Sequence, residues 1–196
     1  MAVRKKQTVK HGLFFITFTC HKWLKLFSLT NSYDLVYKWF DALIKKNHQI
    51  AGYVIMPNHV HALIALNQST QTINTIIANG KRLMAYEIVR RLKTHENAAI
   101  LKLLSKDISE VEKNKGQIHK VFKASSDIKL CFTNKFTEQK LRYIHNNPCS
   151  TKWNLAKSPI DYRHSSMRFY VNYGNPNLRS KLTPYTAILE NIEIIK

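Results

Sequence analysis

The sequence is short of cysteine and of long apolar runs, and each shortage excludes a class of protein. Its three cysteines, Cys20, Cys131 and Cys149, lie far apart and form no CxxC pair, which argues against a disulfide framework or a zinc knuckle. No apolar run approaches the roughly 20 residues of a membrane-spanning helix. The apolar segment 13–18 is too short for the core of a secretory signal. The sequence therefore predicts a reduced, cytoplasmic protein that does not span a membrane.

Acidic residues are also scarce, and this scarcity indicates the partner. Only 12 acidic residues accompany 31 lysines and arginines, so the formal net charge is +19. A charge excess of this size says little about the fold, but it attracts polyanions. Hydrophobic residues make up 44% of the 196 residues, which is enough for a packed core. Nucleic acid is the predicted partner, and a membrane surface is the weaker alternative.

The pattern of apolar residues predicts the order β, α, β, β, α, β, followed by one more helix. Such split βαβ units form a ferredoxin-like antiparallel sheet with helices on one face, which is an α+β fold. Asn31 or Ser32 is the predicted N-cap of the first helix, and Asn134 is that of the last. Pro57 and Asn58 suit a tight turn between the second and third strands. The predicted strands lie within 12–20, 49–56, 59–66 and 118–132, and the predicted helices lie within 35–44, 72–92 and 135–147.

One domain with an extension is the simplest organisation of the chain. We expect the domain to cover 1–170 and a C-terminal tail to cover 171–196. Segment 93–117 is charged and less regular, and it is predicted to be a partly helical insertion. The sequence contains no internal repeat and no low-complexity linker that would indicate a second domain.

Two histidines follow the predicted turn, in the segment MPNHVH at 56–61. Residues i and i+2 of a strand point to the same face, so His59 and His61 lie together with Leu63. Two imidazoles placed in this way can bind one metal ion. The pair fixes only two ligands, however, so a structural role for it remains open.

A tyrosine and an amide share one face of the last predicted helix, in the segment YIHNNP at 143–148. Residues i and i+4 of a helix lie on the same side, so Tyr143 and Asn147 form such a pair. The amide oxygen could be a third metal ligand beside the phenol. Two alternatives remain open: Tyr143 could be a packing residue, and Asn147 could cap the helix end before Pro148. Together with the two histidines, this pair is the smallest set of residues that could cut a nucleic-acid strand through a covalent phosphotyrosine.

At these residues the sequence resembles the single-tyrosine HUH transposases, and within them the REP-associated tyrosine transposases. The resemblance covers about 12–170 and includes GLFFITFTCHKWLKLF, KLRYIHNNP and DYRHSSMRFY besides the MPNHVH segment. It implies an HUH transposase-like catalytic domain over 1–170. In that domain Tyr143 would be the nucleophile, and the metal ligands would be His59, His61 and Asn147.

The chain departs from the family pattern in two places. Lys120–Lys123 stand where the family often has a Trp-Gln pair, and Ser150–Lys152 stand where basic residues often follow the Asn-Pro. These departures concern the preference for DNA sequence more than the chemistry.

The resemblance implies a metal-dependent endonuclease and strand transferase that cuts single-stranded DNA near hairpins through a 5′-phosphotyrosine intermediate. A tyrosine phenol has an ordinary pKa near 10, so a divalent ion is expected to assist. Mg²⁺ or Mn²⁺ fits the mixed nitrogen and oxygen ligands, and Mn²⁺ accepts imidazole more readily. Such an enzyme is expected to associate with the nucleoid, as a homodimer or as a monomer. The alternatives are a domesticated, non-cleaving nucleic-acid-binding protein and a nickase of the relaxase or replication-initiator type.

Overall fold

The computed structural model describes residues 7–175 and 180–194 of the chain. Its centre is one antiparallel sheet of four strands, β1 (Gly12–Thr19), β2 (Gln49–Ile55), β3 (His59–Leu66) and β4 (Asp127–Cys131). The strand order is β2-β3-β1-β4. This is the ferredoxin-like order, so the predicted fold class is confirmed, and each strand lies within a segment predicted to contain one.

Helices connect and cover the strands. The helix at 73–94 continues without interruption through Gly80. The segment predicted to be an insertion, 93–117, contains two shorter helices. Within the described residues, no helix is both long enough and apolar enough to cross a membrane. The helices are α1 (Leu26–Leu29), α2 (Tyr33–Ile44), α3 (Ile73–Thr94), α4 (Ala98–Lys106), α5 (Glu110–Asn114), α6 (Asn134–Asn146), α7 (Met167–Val171) and α8 (Tyr185–Ile194).

One face of the sheet packs against α2 and α3. Alternate residues of β1, among them Phe14 and Phe18, join Trp39 of α2 in the larger hydrophobic core. Gly80 of α3 allows this packing, because a Cβ added there would lie 2.6 Å from the Nε1 atom of Trp39. The absence of a side chain at Gly80 therefore sets how closely α3 approaches α2.

The opposite face of the sheet packs against α6 and α8. Leu141 and Ile144 of α6 are buried there beside Ile188 and Leu189 of α8. A Cβ on Gly52, next to an irregularity in β2, would lie 2.5 Å from the Leu141 side chain. Helices thus cover both faces of the sheet: those of the βαββαβ unit lie on one face and the predicted catalytic helix lies on the other. The segment predicted to be a tail contributes α8 to this second core.

Polar contacts fix α6 and the edge of the sheet. The Thr133 hydroxyl accepts a hydrogen bond from the Phe136 amide, so Thr133 caps α6 and the predicted cap at Asn134 was wrong by one residue. Ser32 is the N-cap of α2, but its side chain makes no capping hydrogen bond. The backbone of segment 164–166 pairs with β2 and covers this edge of the sheet, which protects it from pairing with other chains.

Candidate active site

Strand β3 and helix α6 bring the four residues predicted for the site together. His59 and His61 project from β3 toward α6, and their ring centroids are 4.7 Å apart. The Nε2 atom of His61 lies 3.5 Å from the Tyr143 hydroxyl and 3.3 Å from the Asn147 side-chain nitrogen. The phenol, the amide and the imidazoles therefore meet at one point on the second face of the sheet.

Each histidine is held through its Nδ1 atom by a neighbour that the sequence did not identify. Asn58 donates its side-chain N–H to the Trp23 carbonyl at 2.9 Å, which orients the Asn58 oxygen toward His59 Nδ1 at 2.6 Å. Because that oxygen can only accept, His59 carries its proton on Nδ1 and leaves Nε2 free. Thr17 also holds His61, because its hydroxyl lies 2.6 Å from Nδ1 and can either donate to it or accept from it. Such outer contacts orient imidazoles that bind metals.

Burial keeps both imidazoles neutral. It lowers the pKa of His59 to about 4, with a further contribution from the Lys152 charge, while the Asn147 amide opposes the shift. Burial also lowers the pKa of His61 well below its ordinary value, aided by His59 and Lys140. Metal ions bind neutral imidazole, so the protonation state near pH 7 is the one that a metal site requires.

The amide of Asn147 provides an independent reason to expect a cation. Its Oδ1 atom is buried and has no hydrogen-bond partner in the part of the chain that the structure describes. A buried acceptor left unpaired costs about 1–3 kcal/mol, and a bound cation would satisfy it. No cluster of three or more His, Cys, Asp or Glu side chains lies together among the described residues. A metal ion bound by the two histidines would need a ligand of another type, and the Asn147 oxygen would complete a mixed nitrogen and oxygen set of the kind that Mg²⁺ or Mn²⁺ accepts.

These residues line an open cleft of about 960 Å³. Tyr143 is 50% exposed and lines the cleft, whereas both histidines are buried. Phe15 stacks on His61 and closes the inner end of the site. The basic residues that line the cleft are Lys123, Lys140, Arg142 and Lys152, and its acidic residue is Asp127. The excess of positive charge favours a polyanion beside the phenol.

The segment DYRHSSMRFY at 161–170 does not line the cleft, and it contacts the elements that carry the site residues. Ser166 Oγ lies 2.8 Å from the Nε2 atom of buried His145 on α6, and it also bonds to the backbone of Tyr53 on β2. His164 stacks on Tyr33 with a centroid distance of 3.8 Å. The segment therefore fixes α6 relative to the sheet. A sequence pattern gives no signal for this role, because the contacting residues are far apart in the chain.

The comparisons with known proteins show the fold. No protein-family model matches the chain, and no curated protein matches it. Among solved structures, the chain is similar to a REP-associated tyrosine transposase bound to a REP hairpin, with a TM-score of 0.63. The two sequences are 15% identical, and the match covers 93% of this chain and 94% of that chain. A candidate transposase from Deinococcus radiodurans R1 is 14% identical over 74% of this chain and 97% of that chain, with a TM-score of 0.41. The first likeness confirms, at the level of the fold, the resemblance inferred from the sequence.

Proposed function

We propose that this protein is a transposase of the REP-associated tyrosine type, which cuts and rejoins single-stranded DNA through a covalent bond to Tyr143. One observation carries the proposal: an accessible phenol lies 3.5 Å from His61 Nε2, in a basic cleft beside the unpaired Asn147 oxygen. A tyrosine that served only packing would not require a neutral histidine pair and an orphaned acceptor next to its hydroxyl.

The chemistry assigned to the chain is a phosphoryl transfer. The Tyr143 oxygen attacks phosphorus, the new O–P bond forms, and the bond from phosphorus to the 3′-oxygen breaks. The phenol proton is lost to solvent, and the leaving 3′-oxygen takes up a proton from solvent. A divalent ion held by His59, His61 and Asn147 would draw charge from a non-bridging phosphate oxygen. Attack by another 3′-hydroxyl reverses the bond changes and rejoins strands without nucleotide hydrolysis.

The proposed substrate is single-stranded DNA that carries a hairpin. The structural neighbour with the higher TM-score is bound to a REP hairpin, and this chain has the same fold and a net charge of +19. Charge alone predicts salt-sensitive binding to any nucleic acid, with a slope of about −0.7 per phosphate on a single strand. We therefore expect a hairpin with an unpaired flank to compete better than a duplex of equal length, since only the flank can bring its backbone to Tyr143.

The test is a denaturing gel of labelled hairpin DNA incubated with protein and Mn²⁺. The wild type should give a covalent adduct, Tyr143→Phe should give none, and both should bind DNA equally well. Tyr173→Phe is the matched control, because Tyr173 is exposed to a similar degree and does not line the cleft. An adduct formed by Tyr143→Phe would exclude this residue as the nucleophile, and full activity in excess EDTA would exclude the metal.

Two other results would favour the alternative functions. DNA binding without any adduct in the wild type would indicate a non-cleaving nucleic-acid-binding protein. Cleavage of one strand without transfer to a second strand carrying a free 3′-hydroxyl would indicate a nickase of the relaxase or replication-initiator type.

A further inference from the structure

Trp23 is an exposed indole held at the rim of the cleft by a strained backbone. Its side chain is 48% exposed, and its φ of 59° lies in the left-handed region that bulky side chains rarely adopt. Hydrogen bonds hold it there, because the Trp23 carbonyl accepts from Asn58, the residue that also fixes His59. Strain of this kind concentrates at functional sites, and an indole so exposed adds little to the core.

The indole of Trp23 lies close to His59, one of the proposed metal ligands. Its ring centroid lies 6.1 Å from that of His59, and the ring of Trp153 lies 5.4 Å from His59. The two indoles therefore both contact one proposed metal ligand and line the same cleft as Tyr143. A nucleotide whose phosphate lay at the histidines would place its base within reach of Trp23.

Two lysines complete a surface that suits a nucleotide. Lys123 Nζ lies 4.5 Å from the Trp23 ring centroid, and Lys152 Nζ lies 4.6 Å from it. In sequence, Lys123 precedes α6 and Lys152 follows it. Among the described residues, no carboxylate pairs with either lysine. Both ammonium groups lie over the indole ring and neither is held by a carboxylate, so a base that stacks on the indole would displace them toward the backbone phosphates that flank it. An aromatic face with adjacent cations is the usual platform for an unpaired base.

We propose that Trp23 stacks on the unpaired base next to the scissile phosphate, while Lys123 and Lys152 bind the flanking phosphates. This inference rests on the proposed function and adds to it the residue that positions the single strand. The stack would hold the backbone in line with Tyr143 and would favour an unpaired flank over a duplex, since a paired base cannot present its face. The platform would accept any base, because every base has a face that can stack.

The experiment measures binding of hairpin DNA to the Tyr143→Phe protein, which separates binding from cleavage. A single abasic position is moved along the unpaired flank, and each oligonucleotide is tested with and without Trp23→Ala. We expect one position at which the abasic site weakens binding by roughly 5- to 150-fold, the range of base–aromatic stacking, and at which Trp23→Ala adds no further loss. Trp23→Tyr should restore most of the affinity.

Controls make the result independent of folding. Trp23→Asn tolerates the left-handed backbone and replaces the alanine variant if that variant does not fold. Tyr173→Ala removes an exposed aromatic ring outside the cleft and should leave the abasic profile unchanged. Equal abasic penalties with and without Trp23 would overturn the platform, even if the wild type forms the adduct. A coupled position, combined with a wild type that forms no adduct, would support the platform and refute the cleavage.

Discussion

Replacing His145 with glutamine should remove a defined part of the sensitivity of this protein to acid. His145 lies on α6 two residues after Tyr143, with its Nε2 atom 2.8 Å from Ser166 Oγ. Burial lowers the pKa of His145 to about 4 from the ordinary value of 6.5. Glutamine can offer an amide to Ser166 but does not titrate, so the substitution isolates the protonation of the imidazole.

The sign and the size of the effect follow from proton linkage. Below pH 6.5 the unfolded chain binds a proton at this position, whereas the folded protein does not until the pH approaches about 4. The free energy of unfolding is therefore highest above pH 6.5 and falls as the pH drops toward 4. For one imidazole with these two pKa values, the loss between about pH 7.5 and about pH 4.5 is roughly 2.5 kcal/mol.

The assay is urea unfolding of the wild type and of His145→Gln at both pH values. The variant should lose about 2.5 kcal/mol less than the wild type between the two pH values. The other histidines whose pKa burial lowers will add to the loss equally in both proteins; they are His48, His59, His61, His119 and His164. His95→Gln replaces an exposed histidine and should follow the wild-type curve. If the wild type and His145→Gln lose the same free energy, the imidazole is not kept neutral by burial and the reasoning fails.

Three further predictions concern packing and the metal site. Gly80→Ala should lower the free energy of unfolding in urea by up to about 2 kcal/mol, because overpacking against Trp39 costs about 1–3 kcal/mol and the gain in helix propensity is only about 1 kcal/mol; greater stability would contradict it. Thr17→Val should weaken Mn²⁺ binding about 10- to 100-fold in calorimetry, because it leaves the imidazole of His61, a proposed ligand, unheld, and an unchanged affinity would argue against the site. Since the pKa of His59 is about 4, the affinity for Mn²⁺ should stay nearly level down to about pH 5, and a steep loss near pH 6.5 would show an exposed site.

Local patterns predicted the strands and the side on which His59 and His61 lie, because the alternation of a strand fixes the direction of every second residue. The helical spacing of Tyr143 and Asn147 likewise placed both on one side of α6, which Asn147 caps at its C-terminal end. The contacts that hold the site were not predictable in this way. Trp23 needs a left-handed backbone that its neighbours in sequence do not indicate.

Contacts between distant segments account for the remaining differences between prediction and structure. In segment 171–196, Tyr185, Ile188, Leu189 and Ile192 have helical spacing, but the spacing does not show that they pack on the face of the sheet that carries the site. The bond between His145 and Ser166 joins two segments that local sequence patterns do not relate to each other. Tertiary packing selects such pairs, and a single sequence carries no periodic signal for them.

The position of β1 in the middle of the sheet has a consequence for the order of folding. Leu13 pairs with Cys131, so β1 acquires its second neighbour only when a strand from the far side of α3, α4 and α5 arrives. Closing so long a loop lowers the conformational entropy of the chain before the stabilising contacts between the strands have formed. Strand pairings between distant segments are therefore slow. Helix α6 directly follows β4, so Tyr143 reaches His61 only after this late pairing. The cleft should therefore be among the last parts of the molecule to assemble during refolding.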